Sequence, residues 1–385
     1  MSERKLAFIY TPEIERFSYP PDCPFKTQRA GKTRQRLLSF GLLGGESRFE
    51  VAPERASRAD LEKFHTVRYL DQLQHAATGD LTVEGFQMGL GGPDTPVFKD
   101  MLEYSAWACG ASLKGADLIL SGKADIAFNL LGGFHHAMQE KAAGFCYLND
   151  MVLACLRLVG AGRRVLYLDI DAHHGDGVQE AFYRRNDVMT ISLHESGKTL
   201  FPWGGFENEI GEGPGRGYNV NVSLPADTYD EAFLSAFNRV VPPLIRAYNP
   251  DVIVLELGMD TLAGDPLTHL QLTNNVHVEV IRQLMSFQKP ILVAGGGGYH
   301  AENTARGWAL AWKTFCGEED DHDLSIGMGG VMLGSTEWAG GLRDRTLPVS
   351  TEQRRAVEPE LETTVRGVME RVFPLHGLTV PSPSS

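Results

Sequence analysis

The chain has 385 residues, 43% of them hydrophobic, and 36 Lys and Arg against 49 Asp and Glu give a formal net charge of −13. That length suits one large α/β domain or two smaller ones, and the acidic balance excludes a general nucleic-acid binder, whose phosphate contacts need a basic surface. The five cysteines, Cys23, Cys109, Cys146, Cys155 and Cys316, are odd in number and form no CxxC pair, which excludes a disulfide frame and predicts a reducing compartment.

Met1 to Lys5 leads directly into the strand-like Leu6-Ala7-Phe8-Ile9-Tyr10, without a signal-peptide pattern. No run of about 18 apolar residues predicts a membrane span, and the expected location is the cytoplasm. Strand-like apolar runs then recur at 126–131, 165–170, 188–193, 252–257 and 290–294. Between and after them, helical patterns occupy 150–159, 231–248, 276–287 and 301–315, each bounded by Gly, Pro or Asn. This alternation predicts an open, mostly parallel sheet with helices on both faces. One domain over 1–378 is expected, followed by a disordered tail over 379–385. The acidic run at 318–323 reads as a solvated loop.

Open parallel sheets bind ligands at the carboxyl ends of their strands, and the chain's distinctive residues follow strand-like runs. Asp169-Ile170-Asp171-Ala172-His173-His174-Gly175-Asp176 follows the run at 165–168. In an extended segment Asp171 and His173 share a face and can hold one ion. A third ligand from elsewhere and a water would complete an open catalytic site. Gly132-Gly133-Phe134-His135-His136 follows another strand, and two adjacent imidazoles there suit proton transfer near neutral pH. Gly258-Met259-Asp260 follows a third; alone, its Asp could equally cap a helix. Gly295-Gly296-Gly297-Gly298-Tyr299-His300 follows a fourth; it lacks a GxxxxGKS/T pattern and reads as a turn that delivers a hydroxyl.

Together these segments closely resemble the histone deacetylase superfamily, in particular class I-like deacetylases with bacterial acetoin-utilisation and acetylpolyamine amidohydrolase relatives. The matching stretches are GGFHHA at 132–137, GFCYLND at 144–150, DIDAHHGDG at 169–177, Ser192-Leu193-His194, Phe201-Pro202, DTLAGD at 260–265 and GGGY at 296–299, spanning about Arg29 to His300. The resemblance implies the arginase/deacetylase fold and a zinc-dependent amide hydrolase acting on acyl-lysine in peptides or proteins, or on small acylated amines. It implies metal ligands Asp171, His173 and Asp260, a donor set that admits Zn²⁺ and also Fe²⁺ or Co²⁺. His135 and His136 match the tandem catalytic histidines, oriented by Asp169 and Asp176, and Tyr299 matches the tyrosine that stabilises the oxyanion. Phe145 and Phe201 match the walls of a narrow tunnel; Gly144 and Gly297 belong to the same substrate-binding surround. Asp94 matches a rim carboxylate, and Arg29 an arginine in the channel below the metal. The family also binds structural K⁺. Asp169, Asp171, His173, Ser192 and Leu193 match an inner potassium site, and Phe182, Arg185, Val188 and Tyr218 an outer one.

The chain departs from the family's pattern at Phe134, Leu200, Trp203 and Gly258-Met259, which changes the rim and leaves the chemistry intact. A dimanganese ureohydrolase of the same fold would need a second Asp at 258, where Gly stands. A non-catalytic binding protein would be expected to have lost Tyr299, a histidine of the pair or a metal ligand, and none is lost. Leu267 stands where polyamine-selective relatives carry a Glu, which favours acyl-lysine over acetylpolyamines.

Overall fold

A computed structural model describes residues 4–318 and 341–381. Eight strands form one sheet: β1 (Leu6–Ile9), β2 (Arg48–Val51), β3 (Ile126–Asn129), β4 (Val165–Asp169), β5 (Val188–Glu195), β6 (Asn219–Leu224), β7 (Val252–Glu256) and β8 (Ile291–Ala294). Every neighbouring pair is parallel, in the order β2-β1-β3-β8-β7-β4-β5-β6. The protein is therefore a single α/β domain built on an all-parallel sheet. Seven strands are buried along their whole length, as a sheet covered on both faces requires.

The helices are α1 (Arg29–Ser39), α2 (Arg58–Leu61), α3 (Val67–Ala77), α4 (Val83–Gln87), α5 (Met101–Leu120), α6 (Asp150–Gly160), α7 (Asp176–Phe182), α8 (Asp230–Tyr248), α9 (Asn274–Ser286), α10 (Ala301–Phe315) and α11 (Thr351–Val372). Two layers enclose the sheet. In one, α5 packs on α6, which also touches α7, and these helices contact β3, β8, β4, β7 and β5. In the other, α1, α10, α9, α8 and α11 follow one another in contact, with α8 on β5 and α11 on β6.

The apolar runs read as strands and the four helical patterns form where expected, shifted by at most two residues at their ends. β2, β6, α1, α3, α5 and α11 are additional to that reading. Of the acidic run, Glu318 pairs with Arg48 and residues 319–323 lie outside the described residues. Leu378 and Val380 are partly buried against the core, so the packed chain extends past 378; residues 382–385 lie outside the described residues. All five cysteines are free thiols. Among the described residues no helix is long and apolar enough to cross a membrane.

The strand order explains why distant motifs meet. β3, β8, β7 and β4 are consecutive in the sheet and parallel. The segments that follow them leave the same edge side by side, although the chain visits them in the order β3, β4, β7, β8.

Candidate active site

Asp171, His173 and Asp260 converge at that edge, all buried, with one potential ligand atom from each within 4.8 Å of the others. The 171–173 segment is bent rather than extended, a correction to the alternating-face argument. Asp169 Oδ1 accepts the Asp171 N–H at 3.0 Å and Asp171 Oδ1 accepts the His173 N–H at 2.9 Å. Each aspartate thus bonds the backbone two residues on, and these successive Asx turns curl the chain back over the strand end. His173 Nδ1 lies 2.9 Å from Asp260 Oδ2 and 3.3 Å from Asp171 Oδ1. The Gly297 N–H donates to Asp171 Oδ2 at 2.6 Å and the Ala172 N–H to Asp260 Oδ1 at 2.9 Å, which fixes both carboxylates.

The electrostatics of this triad call for a cation. Burial and the adjacent Asp171 push Asp260 up to about 7. Burial opposes charge on His173, but the Asp171 and Asp260 carboxylates outweigh it and raise the imidazole to about 10. Asp171 stays below the usual carboxylate range, because His135 and His173 overcome its burial. Two carboxylates and one imidazole nitrogen, closely spaced and held by backbone donors, fit a divalent ion of the zinc type.

His135 and His136 sit beside the triad with their Nε2 atoms 3.1 Å apart. His135 Nδ1 bonds Asp169 Oδ2 at 2.9 Å, and His136 Nδ1 bonds Asp176 Oδ1 at 2.8 Å. The environments separate the two rings. Burial works against charge on His135, yet Asp169 and then Asp171 hold it well above its ordinary value. Burial and the neighbouring His135 push His136 down to about 4. These environments favour the charged form of His135 and the neutral form of His136.

Tyr299 lies with its ring centroid 6.2 Å from that of His173 and 5.7 Å from that of Phe145. Phe201 faces His136 at 5.0 Å, so the two phenylalanines border the rings of His136 and Tyr299. Asp94 Oδ2 accepts the Gly144 N–H at 2.8 Å, and the Asp94 carbonyl accepts the Phe145 N–H at 2.8 Å. Asp94 therefore fixes the backbone that carries Phe145. Arg29 is buried beneath, donating to Gly298 O at 2.9 Å and to Lys26 O, with its guanidinium over Phe25 and Trp308. Leu267 is half-buried on the loop after Asp265. Asp169 and Ser192 are register partners on β4 and β5, with Leu193 next and Asp171 and His173 at the turn above. Phe182 O accepts the Arg185 N–H and Tyr218 O the Thr190 N–H, near the start of β5 at Val188.

The structure adds residues that the sequence reading left without a role. Asp265 accepts the Tyr299 N–H at 2.7 Å and the Leu267 N–H at 3.0 Å, which ties the tyrosine turn to the rim. Asp150 accepts the N–H groups of Gly133 and Phe134 and shapes the approach to the histidines. Tyr19 donates to Phe145 O at 2.7 Å, and Tyr167 to Asp169 Oδ2 at 2.8 Å. Glu256 is fully buried with neither carboxyl oxygen hydrogen-bonded, and burial pushes its carboxyl well above the usual range. Asp150 and Asp265 fall inside stretches already singled out, but contacts made at a distance, such as Tyr19 to Phe145, leave no trace in sequence spacing.

Comparison with known proteins decides the family. Residues 23–315 match the histone deacetylase domain. The chain is 37% identical over 326 residues to histone deacetylase clr6 of Schizosaccharomyces pombe, covering 84% of this chain and 79% of that protein. The crystal structure of an HDAC homologue complexed with SAHA superposes with a TM-score of 0.82 at 30% identity, over 95% of this chain and all of the other. That of an HDAC homologue from Aquifex aeolicus gives 0.80 at 30% identity, over 94% of this chain and all of the other. The chain belongs to the histone deacetylase family. It is accordingly a deacetylase, an amide hydrolase. The narrower bacterial acetoin-utilisation grouping gives way to the histone deacetylase family at large, since clr6, like histone deacetylase B of Dictyostelium discoideum at 38% identity over 84% of this chain and 76% of that protein, is a eukaryotic histone deacetylase.

Proposed function

We propose that this histone deacetylase family member removes acetyl or other short acyl groups from lysine side chains in peptides or proteins. The observation that carries this reading is the juxtaposition of the Asp171, His173 and Asp260 triad with a histidine pair of split basicity. We assign Zn²⁺ to the triad, with Fe²⁺ or Co²⁺ as chemically admissible substitutes. A divalent cation bound there supplies Lewis acidity to the amide carbonyl and lowers the pKa of the attacking water.

The chain's own residues do the rest. His136, neutral and held by Asp176, takes a proton from the attacking water at Nε2. Water oxygen bonds to the carbonyl carbon, and the Tyr299 phenol donates a hydrogen bond to the developing oxyanion. The C–N bond then breaks as the proton on His136 passes to the amine nitrogen, leaving a free lysine and a carboxylate. His135, positively charged and anchored on Asp169, makes the return of that proton favourable. Phe145 and Phe201 bury the methylene stem and exclude water, and Asp94 is placed to hold the substrate backbone. The neutral Leu267 favours lysine over a polyamine, whose second ammonium would lose hydration there without gaining a partner. The potassium sites remain part of this proposal, supported by the pairing of Asp169, the last residue of β4, with Ser192 within β5.

The test is a panel of acetyl-lysine peptides, longer acyl-lysines and acetylpolyamines on zinc-loaded and chelator-treated protein. Zinc-dependent turnover led by acetyl-lysine peptides is expected. A preference for acetylspermidine, or activity that survives complete metal removal, would refute the assignment.

A further inference from the structure

Beside the catalytic residues lies a second hollow of about 660 Å³, bordered by four carboxylates, those of Asp176, Glu180, Glu209 and Glu212, and by Arg184 and Arg185. The arginines neutralise it only in part, leaving Asp176, Glu180 and Glu209 without a basic partner from the arginines. Arg184 is committed to Glu212 at 2.8 Å and Arg185 to Asp187 at 2.7 Å. Glu209 is held by uncharged donors, the N–H groups of Gly205 and Phe206 and the Gln179 amide. Glu180 is exposed at the opening. His174, which also borders the hollow, is buried and its Nδ1 has no hydrogen-bond partner. The surface thus offers negative charge.

Its position relates it to the reaction. Asp176 borders the hollow and holds His136 on its other side. Phe201 faces His136, while the next residue, Pro202, and then Gly204 border the hollow. Between those two stands Trp203, with a left-handed φ of 65° and 65% of its surface exposed. Its backbone is braced: the Trp203 N–H donates to Leu200 O at 3.2 Å, and the opposite limb is so close that a Cβ on Gly197 would lie 2.8 Å from the Trp203 carbonyl carbon. A left-handed backbone on a bulky residue and an exposed indole are both unfavourable for the isolated chain. Here the residues on either side of Trp203 border the hollow, which sets an exposed indole beside an acidic surface.

We propose that this hollow, with Trp203 beside it, is a subsite for a cationic side chain, Arg or Lys, flanking the acylated lysine of the substrate. The inference rests on the acyl-lysine reading above. Adjacent Cα atoms lie 3.8 Å apart, and a long cationic side chain one or two positions from the modified lysine can cross the Phe201-Pro202 wall. Its charge is drawn by the carboxylates, and its stem or head packs on the indole, a cation–π arrangement.

The test compares three substrates on the zinc-loaded full chain: an acetyl-lysine amide without flanks, an acetyl-lysine peptide with Ala at the neighbouring positions, and the same peptide with Arg there. In the wild type, kcat/KM for the Arg peptide should exceed that for the Ala peptide by about three- to tenfold, mainly through KM, the range a cation–π contact supplies. Glu180→Lys should abolish the preference, Trp203→Gly should reduce it, and raising salt should shrink it in the wild type. Thermal melts of both variants check that they are folded. Equal kcat/KM for the two peptides in the wild type, or a preference intact in both variants, overturns the subsite. Failure to hydrolyse even the flankless amide overturns the acyl-lysine reading itself, and the subsite with it.

Discussion

Gly297 offers the sharpest structural test of the metal centre. A Cβ built on it would lie 2.1 Å from Asp260 Oδ2, 2.7 Å from Asp260 Cγ and 2.9 Å from Asp171 Oδ2. Ordinary contact begins near 3.4 Å, so in Gly297→Ala the Asp260 carboxylate must retreat by about 1.3 Å. Metal sites tolerate ligand displacements of only about 0.2 Å. Two of the three ligands are pushed at once, and the change should exceed the 10–100-fold loss of metal affinity typical when an outer-shell partner is removed. The displaced atoms are side-chain ends, and overpacking of this kind costs about 1–3 kcal/mol, so the protein should stay folded with a modestly lower Tm. The assay is zinc titration by equilibrium dialysis with metal analysis, beside thermal melts. Gly162→Ala is the control: Gly162 has φ 75° and nothing within 4 Å of its would-be Cβ, so backbone strain alone should appear, with zinc binding unchanged. A Gly297→Ala protein holding one zinc per chain at wild-type affinity would refute the assignment of Asp171 and Asp260 as ligands.

Three other outcomes are expected. Tyr299→Phe should lower kcat by about two to three orders of magnitude with little change in KM or zinc content, the effect of losing one oxyanion donor; an unchanged kcat rules out that role. Burial pushes both His65 and His277 down to about 4 in the folded chain. Their contribution is present above pH 6.5 and is lost as pH falls towards 4, by up to about 3 kcal/mol each. Denaturant melts should show stability falling over that window and a shallower fall in His65→Gln, and parallel pH curves would count against it. Leu267→Glu should raise kcat/KM for acetylspermidine relative to an acetyl-lysine peptide several-fold, and a ratio that does not move would shift attention to Trp203.

The sequence showed the strands that are apolar on both faces and the helices with one apolar stripe, because those are the patterns burial imposes. It did not show α5, although that helix is long, because nearly every side of it is buried and no stripe stands out. Its small residues serve close packing: a Cβ on Gly110 would lie 1.8 Å from Glu54 O, and one on Gly115 would lie 2.4 Å from Leu292. β6 was missed for the opposite reason. Val220, Val222 and Leu224 alternate with Asn219, Asn221 and Ser223, and both sets are buried, the polar set bonded to Gln179, Thr190 and Gly205. In α11 the signal was present: Val357, Leu361, Val365, Val368 and Val372 form one helical stripe, in a segment that also carries many charges. The metal and histidine residues were legible as motifs. Asp265 and Tyr19 act through backbone groups far along the chain, which no local pattern encodes.

Sheet register connects these observations. Asn129, Ala294, Glu256, Asp169, Ser192 and Asn221 lie in one row across β3, β8, β7, β4, β5 and β6. Five of the six are polar, and the row closes the carboxyl ends of the four apolar central strands β3, β8, β7 and β4. From that row the chain needs only two residues to reach Asp171, three to reach Gly297 and four to reach Asp260, so the ligands and the backbone donor that fixes one of them arrive at the same height. A one-residue slip of β4 against β7 would turn Asp169 to the opposite face, taking His135 off its anchor and Asp171 away from Asp260 together. The apolar lengths of the strands, which set that register, are therefore as much a condition for the chemistry as the carboxylates themselves. The row also explains how Glu256 is tolerated without a partner. It stands directly beside Asp169 and below His135, where a second full negative charge would compete with Asp169 for the imidazolium and a proton on the carboxyl removes that competition.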